Sequence, residues 1–134
     1  RYCAENPKGF KGYSDACWGL TASYSVKGYN AHMPSNDHGV ITPTAALSSY
    51  PYTPEESSKA LKHFYFNLGD SIWGKYGFYD AFSEGENWYP HRYLAIDQCT
   101  IAPMIENYRT NLLWNLFMSH PDVQKGIQKI QSIK

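Results

Sequence analysis

The sequence predicts an all-α scaffold whose long, aromatic-rich loops build a cleft. Three observations predict it. Helix-start chemistry recurs at Thr42-Pro43, at Thr53-Pro54-Glu55-Glu56 and at Ser119-His120-Pro121-Asp122. Downstream of these starts the apolar residues return every three or four positions, the period of a helix. Between them lie stretches with no period of 2 or 3.6, crowded with glycine, amides and aromatic rings, which is the composition of ordered loops.

Residues 6–40 (NPKGFKGYSDACWGLTASYSVKGYNAHMPSNDHGV) are the first such stretch. An aperiodic segment of that length is uncommon inside a compact domain, and when ordered it usually lines a functional site. At the second helix start Thr53 is expected to cap, Pro54 suits the first helical position, and Glu56 completes a capping box at the positive end of the helix dipole. From there Ala60, Leu61, Phe64, Tyr65, Leu68 and Ile72 share one face, Lys59, Lys62, His63 and Asn67 the other, and Gly69 or Gly74 ends the helix. A further helix carries Ile101, Met104, Ile105, Tyr108, Leu112 and Leu116 as one stripe, widened by Leu113 and Phe117. Proline is tolerated only in a first helical turn, so Pro103 sets the expected cap near Thr100. Residues 104–118 are apolar nearly all round and need partners on most sides, more than three or four helices supply, so the chain is expected to be part of a larger domain. The last segment, PDVQKGIQKIQSIK, places Val123, Ile127 and Ile130 on one face of an outer, half-exposed helix.

The second aperiodic stretch, YGFYDAFSEGENWYP at residues 76–90, holds six aromatic residues, three carboxylates and two glycines in fifteen positions. Aromatic faces beside carboxylates, amides and guanidinium groups suit a sugar, whose apolar C–H faces stack while its hydroxyls take the polar groups. The candidates are Trp18, Tyr24, Tyr79, Phe82, Trp88, Tyr89 and Tyr93; the competing role for each is to anchor a loop on the helices. Trp88, in the least periodic part of the loop, is expected to meet sugar rather than core. Glycoside hydrolysis needs two carboxyl groups facing one another across the bond, and Asp80, Glu84, Glu86, Asp97 and Glu106 are the supply. Asp97 stands just before an expected helix start, where the competing role is an N-terminal cap. Glu106 and Arg109 are three apart on a helix, where the competing role is a simple ion pair.

Other classes lack support. Twelve basic and twelve acidic residues cancel, which removes the electrostatic footprint of a nucleic-acid or anionic-membrane binder. No apolar run approaches the roughly 18 residues of a membrane span. Cys3, Cys17 and Cys99 are odd in number and show no CxxC spacing, leaving room for at most one bridge and spelling out no zinc motif. His32 and His38 stand near Asp37 without a ligand spacing, so no metal and no cofactor is expected. No G-x-S-x-G elbow or phosphate-binding glycine loop occurs, and no cysteine–histidine pairing is legible. The chain opens on Arg1 without a signal-peptide pattern and is expected to be a mature or truncated product.

Five segments carry a resemblance: WGLTAS (18–23), ITPTAALSSYPYTPEES (41–57), YGFYDAFSEGENW (76–88), YLAIDQ (93–98) and IENYRTNLLWNLFM (105–118). Together they resemble the C-terminal part of the bacterial "putative glucoamylase" family, which includes endo-β-1,2-glucanases. The resemblance implies an (α/α)6 barrel, with residues 1–134 as the C-terminal third of a single glycoside hydrolase catalytic domain that is inactive without its upstream part. It implies inverting hydrolysis of a β-1,2-glucan-like oligo- or polysaccharide in the periplasm or outside the cell, with part of the active site upstream. The catalytic residue it implies is Asp97 in AIDQ, with Asp80 as the reserve, holding a neighbouring hydroxyl. Substrate-binding roles fall to Trp18, Tyr79, Phe82, Trp88, Tyr93, Gln98, Glu106 and Arg109. Cys99-Thr100 departs from the pattern, which has glycine after the glutamine. The competing class is a non-catalytic carbohydrate-binding protein on the same helical scaffold.

Overall fold

The computed structural model describes residues 1–133. After a single helical turn, α1 (Tyr2–Glu5), the long N-terminal stretch forms a hairpin of β1 (Ala22–Ser25) and β2 (Gly28–Ala31), paired antiparallel with Tyr24 opposite Tyr29. The helices α2 (Pro43–Leu47) and α3 (Pro54–Lys62) follow, then a π-helical segment His63–Asn67 and the short α4 (Gly69–Ile72). A second hairpin, β3 (Trp73–Gly74) with β4 (Gly77–Phe78), opens the aromatic loop. The chain ends in α5 (Ala95–Thr110), α6 (Leu112–Ser119) and α7 (Pro121–Gln131). The fold is therefore helix-rich rather than purely α, because the two glycine-containing turns at Gly28 and Gly77, both at positive φ, close hairpins that aperiodic sequence does not announce.

All three expected helix starts form with proline in the first helical turn. The capping chemistry differs. Thr53 makes no side-chain cap; its hydroxyl donates to the Ser49 carbonyl at 3.3 Å and meets Ser57 Oγ at 3.2 Å. The threonine is thus used to tie α3 back to the turn before it, and the capping box is absent. At α7 the cap is His120, whose Nδ1 accepts the Asp122 amide at 3.3 Å.

The largest corrections concern the last apolar helix. It starts at Ala95 rather than near Thr100, so Pro103 sits inside it. It also breaks at Asn111, which takes the left-handed conformation (φ 56°) that asparagine tolerates better than most residues. The break is stabilised by the buried Asn107, whose Oδ1 accepts the amides of Leu113 at 2.9 Å and Trp114 at 3.2 Å, while Thr110 Oγ1 accepts that of Leu112. Three of the donors left free at the start of α6 are satisfied in this way.

The core lies under α2, α3 and the aromatic loop, where Phe64 is fully buried with Leu47, Ala60, Ile72, Phe78 and Phe82. Phe64 meets Phe78 and Phe82 edge-on, at ring separations of 6.1 and 5.8 Å. By contrast α6 offers its apolar residues to solvent: Leu116 is 60% exposed and Phe117 64%. On α7, Val123 and Ile127 are half-buried as the sequence suggests, whereas Ile130 is exposed. Phe64→Ala is expected to destabilise the fold by about 3–5 kcal/mol and Asn107→Ala by about 1–2 kcal/mol, measured by urea unfolding. A smaller effect for Phe64 than for Asn107 would contradict this placement of the core.

Candidate active site

The aromatic loop is pinned from both sides, and the pinning creates the site. Tyr79 N–H donates to the Ile72 carbonyl, Asp80 N–H to that of Arg92, and Phe82 exchanges two 2.9 Å backbone bonds with Ile41. Between these attachments the Asp80 side chain turns inward and is fully buried. Its Oδ2 accepts the Tyr24 amide at 3.0 Å, while the Arg92 guanidinium lies 4.1 Å over the Tyr24 ring.

Asp97 arrives on the first turn of α5, and it is not the helix cap. The cap position is Leu94, whose amide donates to Gln98 Oε1 at 2.6 Å and whose carbonyl accepts the amides of Asp97 and Gln98. Gln98 therefore does the local capping work, and the Asp97 carboxyl is free to face Asp80. Each carboxyl keeps one buried oxygen without a hydrogen-bond partner, Asp80 Oδ1 and Asp97 Oδ2. Burial, reinforced by Asp80 beside it, pushes the Asp97 carboxyl up to about 7. The N-terminal helix dipole, which favours an anion, is outweighed.

The backbone of Asp97 is held by hydroxyl groups. Thr44 Oγ1 and Thr100 Oγ1 both donate to its carbonyl, and Thr44, Ser48 and Thr100 lie within 2.8–3.0 Å of one another. These hydroxyls and Asp97 line one open groove between α2 and α5, together with Thr21 and Leu20. The hydroxyl cluster and the Tyr24 amide are site features that sequence reasoning missed; the one signal for them was the density of Ser and Thr in 42–49.

The remaining candidates scatter. Tyr79 and Tyr93 belong to one surface cluster, with Tyr79 stacked on His91 at 4.8 Å, Tyr93 at 5.0 Å from Tyr79, and Tyr76 beyond. Gly74 lies under that cluster, where an added Cβ would stand 2.5 Å from Tyr79 Oη. Trp88 is half-buried, its backbone paired with Ser83 across the loop turn. Tyr89 stacks on Phe82, and Phe82 is sealed in the core with no surface left for a ligand. Trp18 packs against the core and its indole N–H donates to the Glu56 carbonyl. Arg109 Nη1 donates to Glu106 Oε2 at 3.2 Å, the ion pair that the spacing suggested as the alternative, and Thr110 Oγ1 donates to Glu106 Oε1.

A raised-pKa carboxyl paired with a second buried carboxylate at the edge of a hydroxyl-lined groove is the equipment of acid–base chemistry. Residues 1–121 match the family described as "Putative glucoamylase", and the chain belongs to that family. It is 58% identical over 136 residues to an exo β-1,2-glucooligosaccharide sophorohydrolase (non-reducing end) of Parabacteroides distasonis, an alignment that takes in 100% of this chain and 19% of the relative. Among solved structures it is similar to an endo-β-1,2-glucanase from Chitinophaga pinensis in complex with sophorotriose and glucose (64% identity, TM-score 0.93, 96% of this chain and 31% of that one). A β-1,2-glucanase from Parabacteroides distasonis is similar over 98% of this chain and 19% of its own (57% identity, TM-score 0.94). The chain thus spans well under two thirds of the length of these relatives.

The carboxyl pair has a consequence for stability. Asp97 is raised above its ordinary value of 3.8, so between about pH 4 and pH 7 the folded chain holds a proton that the unfolded chain has released. Its contribution is therefore lost as pH rises through about 7. Asp97→Asn, which removes the titrating charge, is expected to raise Tm at pH 8 and to leave it nearly unchanged at pH 4.5. A lower Tm for the variant at pH 8 would contradict a raised Asp97 carboxyl.

Proposed function

We propose that the protein to which this chain belongs is a glycoside hydrolase acting on a β-1,2-glucan, and that Asp97 is its general base in an inverting reaction. One observation carries the reading: the Asp97 carboxyl, raised to about 7, lines an open groove ringed by hydroxyl groups. The β-1,2-glucan specificity is taken from what the named relatives act on. A base is most effective when its pKa lies near the working pH, and burial of Asp97, reinforced by Asp80 beside it, supplies that tuning.

The same reading gives Asp80 a role other than that of the second catalytic carboxyl. An inverting pair stands roughly 6.5–9.5 Å apart and a retaining pair about 5–5.5 Å, with substrate between the two groups, whereas Asp80 is fully buried and is the neighbour that helps raise Asp97. They are therefore one half of the acid–base machinery. The general acid that protonates the leaving oxygen comes from a carboxyl group outside this chain. Asp80, with no exposed surface, acts through Asp97 instead of holding a sugar hydroxyl.

The architecture proposed for the whole domain is an (α/α)6 barrel of which this chain forms the C-terminal part. The support is α6, whose exposed leucines and Phe117 form an inner-helix surface that upstream helices would cover. Tyr79, Trp88 and Tyr93, with surface to offer at the edge of the aromatic loop, are proposed to stack on the glucan. A polymeric substrate goes with a periplasmic or secreted enzyme. Among the described residues no helix is long and apolar enough to cross a membrane.

In the full-length protein Asp97→Asn should leave folding and sugar affinity nearly intact and lower kcat on linear β-1,2-glucan by at least about a hundredfold. Because the base works deprotonated, wild-type activity should fall as pH drops below about 7. Asp80→Asn should shift that acid limb to lower pH. Sugar binding with no product from the full-length protein would overturn the enzymatic reading in favour of a binding protein, and full activity in Asp97→Asn would remove that residue from the mechanism.

A further inference from the structure

Away from the carboxyl pair, Cys17, His63 and Glu84 converge from three separate parts of the chain. One donor atom from each lies within 4.8 Å of the other two. Cys17 Sγ stands 4.0 Å from Glu84 Oε1. Cys17 is fully buried, and His63 Nε2 is closed off from solvent with no hydrogen-bond partner. A buried imidazole nitrogen without a partner is costly, and such an atom calls for an explanation. The local backbone is shaped to bring the donors together. His63 opens the π-helical segment, a distortion frequent at functional sites, and Gly12 at φ +91° leaves the space that the Glu84 carboxylate fills, since a Cβ there would lie 2.5 Å from Oε1.

We propose that Cys17, His63 and Glu84 are a three-donor binding site for zinc. Sulfur, imidazole nitrogen and carboxylate oxygen together are a zinc donor set, whereas calcium and magnesium take oxygen alone. Zinc sits about 2.0–2.3 Å from such donors, which sets them roughly 3.5 Å apart in a tetrahedral arrangement. The observed cluster reaches that spacing by closing on the order of 1 Å, within the reach of the half-buried Glu84 side chain. Water takes the fourth position, and the Cys17 thiol releases its proton to solvent as the metal binds. The metal joins the N-terminal stretch, the π-helical segment and the aromatic loop at a point four residues beyond Asp80. This proposal is independent of the reading of the carboxyl pair.

The test is metal content and cobalt spectroscopy of the full-length protein after dialysis against a chelator and re-addition of one metal ion at a time. Wild type should retain one zinc more per chain than Cys17→Ser, His63→Gln or Glu84→Gln, or bind it at least about tenfold more tightly. Cobalt should give a thiolate-to-metal absorption that Cys17→Ser abolishes, and zinc should raise Tm in wild type alone. Zinc stoichiometry unchanged by His63→Gln, or a cobalt spectrum with no thiolate band, would overturn the proposal. Should Cys17→Ser fail to fold, the His63→Gln comparison decides by itself.

Discussion

Burial, reinforced by the contact with the fully buried Asp80 carboxyl, pushes the Asp97 carboxyl up to about 7. Much of the surrounding structure exists to keep that contact in place. The Ile41–Phe82 bridge and the Asp80–Arg92 backbone bond fix one carboxyl, and the Tyr24 amide holds its oxygen. Gln98 relieves Asp97 of capping duty, and the Thr44–Ser48–Thr100 hydroxyls fix the turn that carries it. The raised Asp97 lowers stability at neutral pH in a domain whose net stability is only about 5–15 kcal/mol, and such perturbed groups cluster at functional sites.

The backbone attachments that hold Asp80 also divide the aromatic residues of the loop. Within residues 78–82 only Tyr79 keeps exposed surface, since Phe78, Asp80, Ala81 and Phe82 are all buried. Phe78, Asp80 and Phe82 go inward, the phenylalanines to the core around Phe64 and the aspartate to its partner, while Tyr79 goes outward to stack on His91. One stretch of loop thus anchors itself, builds the carboxyl pair and presents a ring at the surface.

How much of this was legible in the sequence follows from the range of each interaction. Pro54 and Pro121 announced their helices because proline at a first turn is a local preference, independent of tertiary context. The break at Asn111 was hidden, since the apolar stripe runs straight through it and the determinant is a buried Asn107 side chain bonded six and seven residues ahead. Asp97 and Asp80 stood out as carboxylates beside aromatics, but their contact spans 17 positions and has no periodicity to reveal it. The cap ambiguity at Asp97 could be resolved only by seeing Gln98 fold back on Leu94. Phe82 looked like a surface ring because its segment is aperiodic, and only its burial in the core beside Phe64, with its backbone bridged to Ile41, shows otherwise. Cys17, His63 and Glu84 are too far apart for any metal-ligand spacing rule to connect them.

That burial beside Asp80 raises the Asp97 carboxyl to about 7 is tested most directly by a pH titration of the aspartate side-chain carboxyl carbons by 13C NMR. The account predicts one aspartate titrating near pH 7, assigned to Asp97 by its loss in Asp97→Asn and moved to lower pH in Asp80→Asn. An Asp97 resonance that titrates near its ordinary value of 3.8 in the wild-type protein would contradict it.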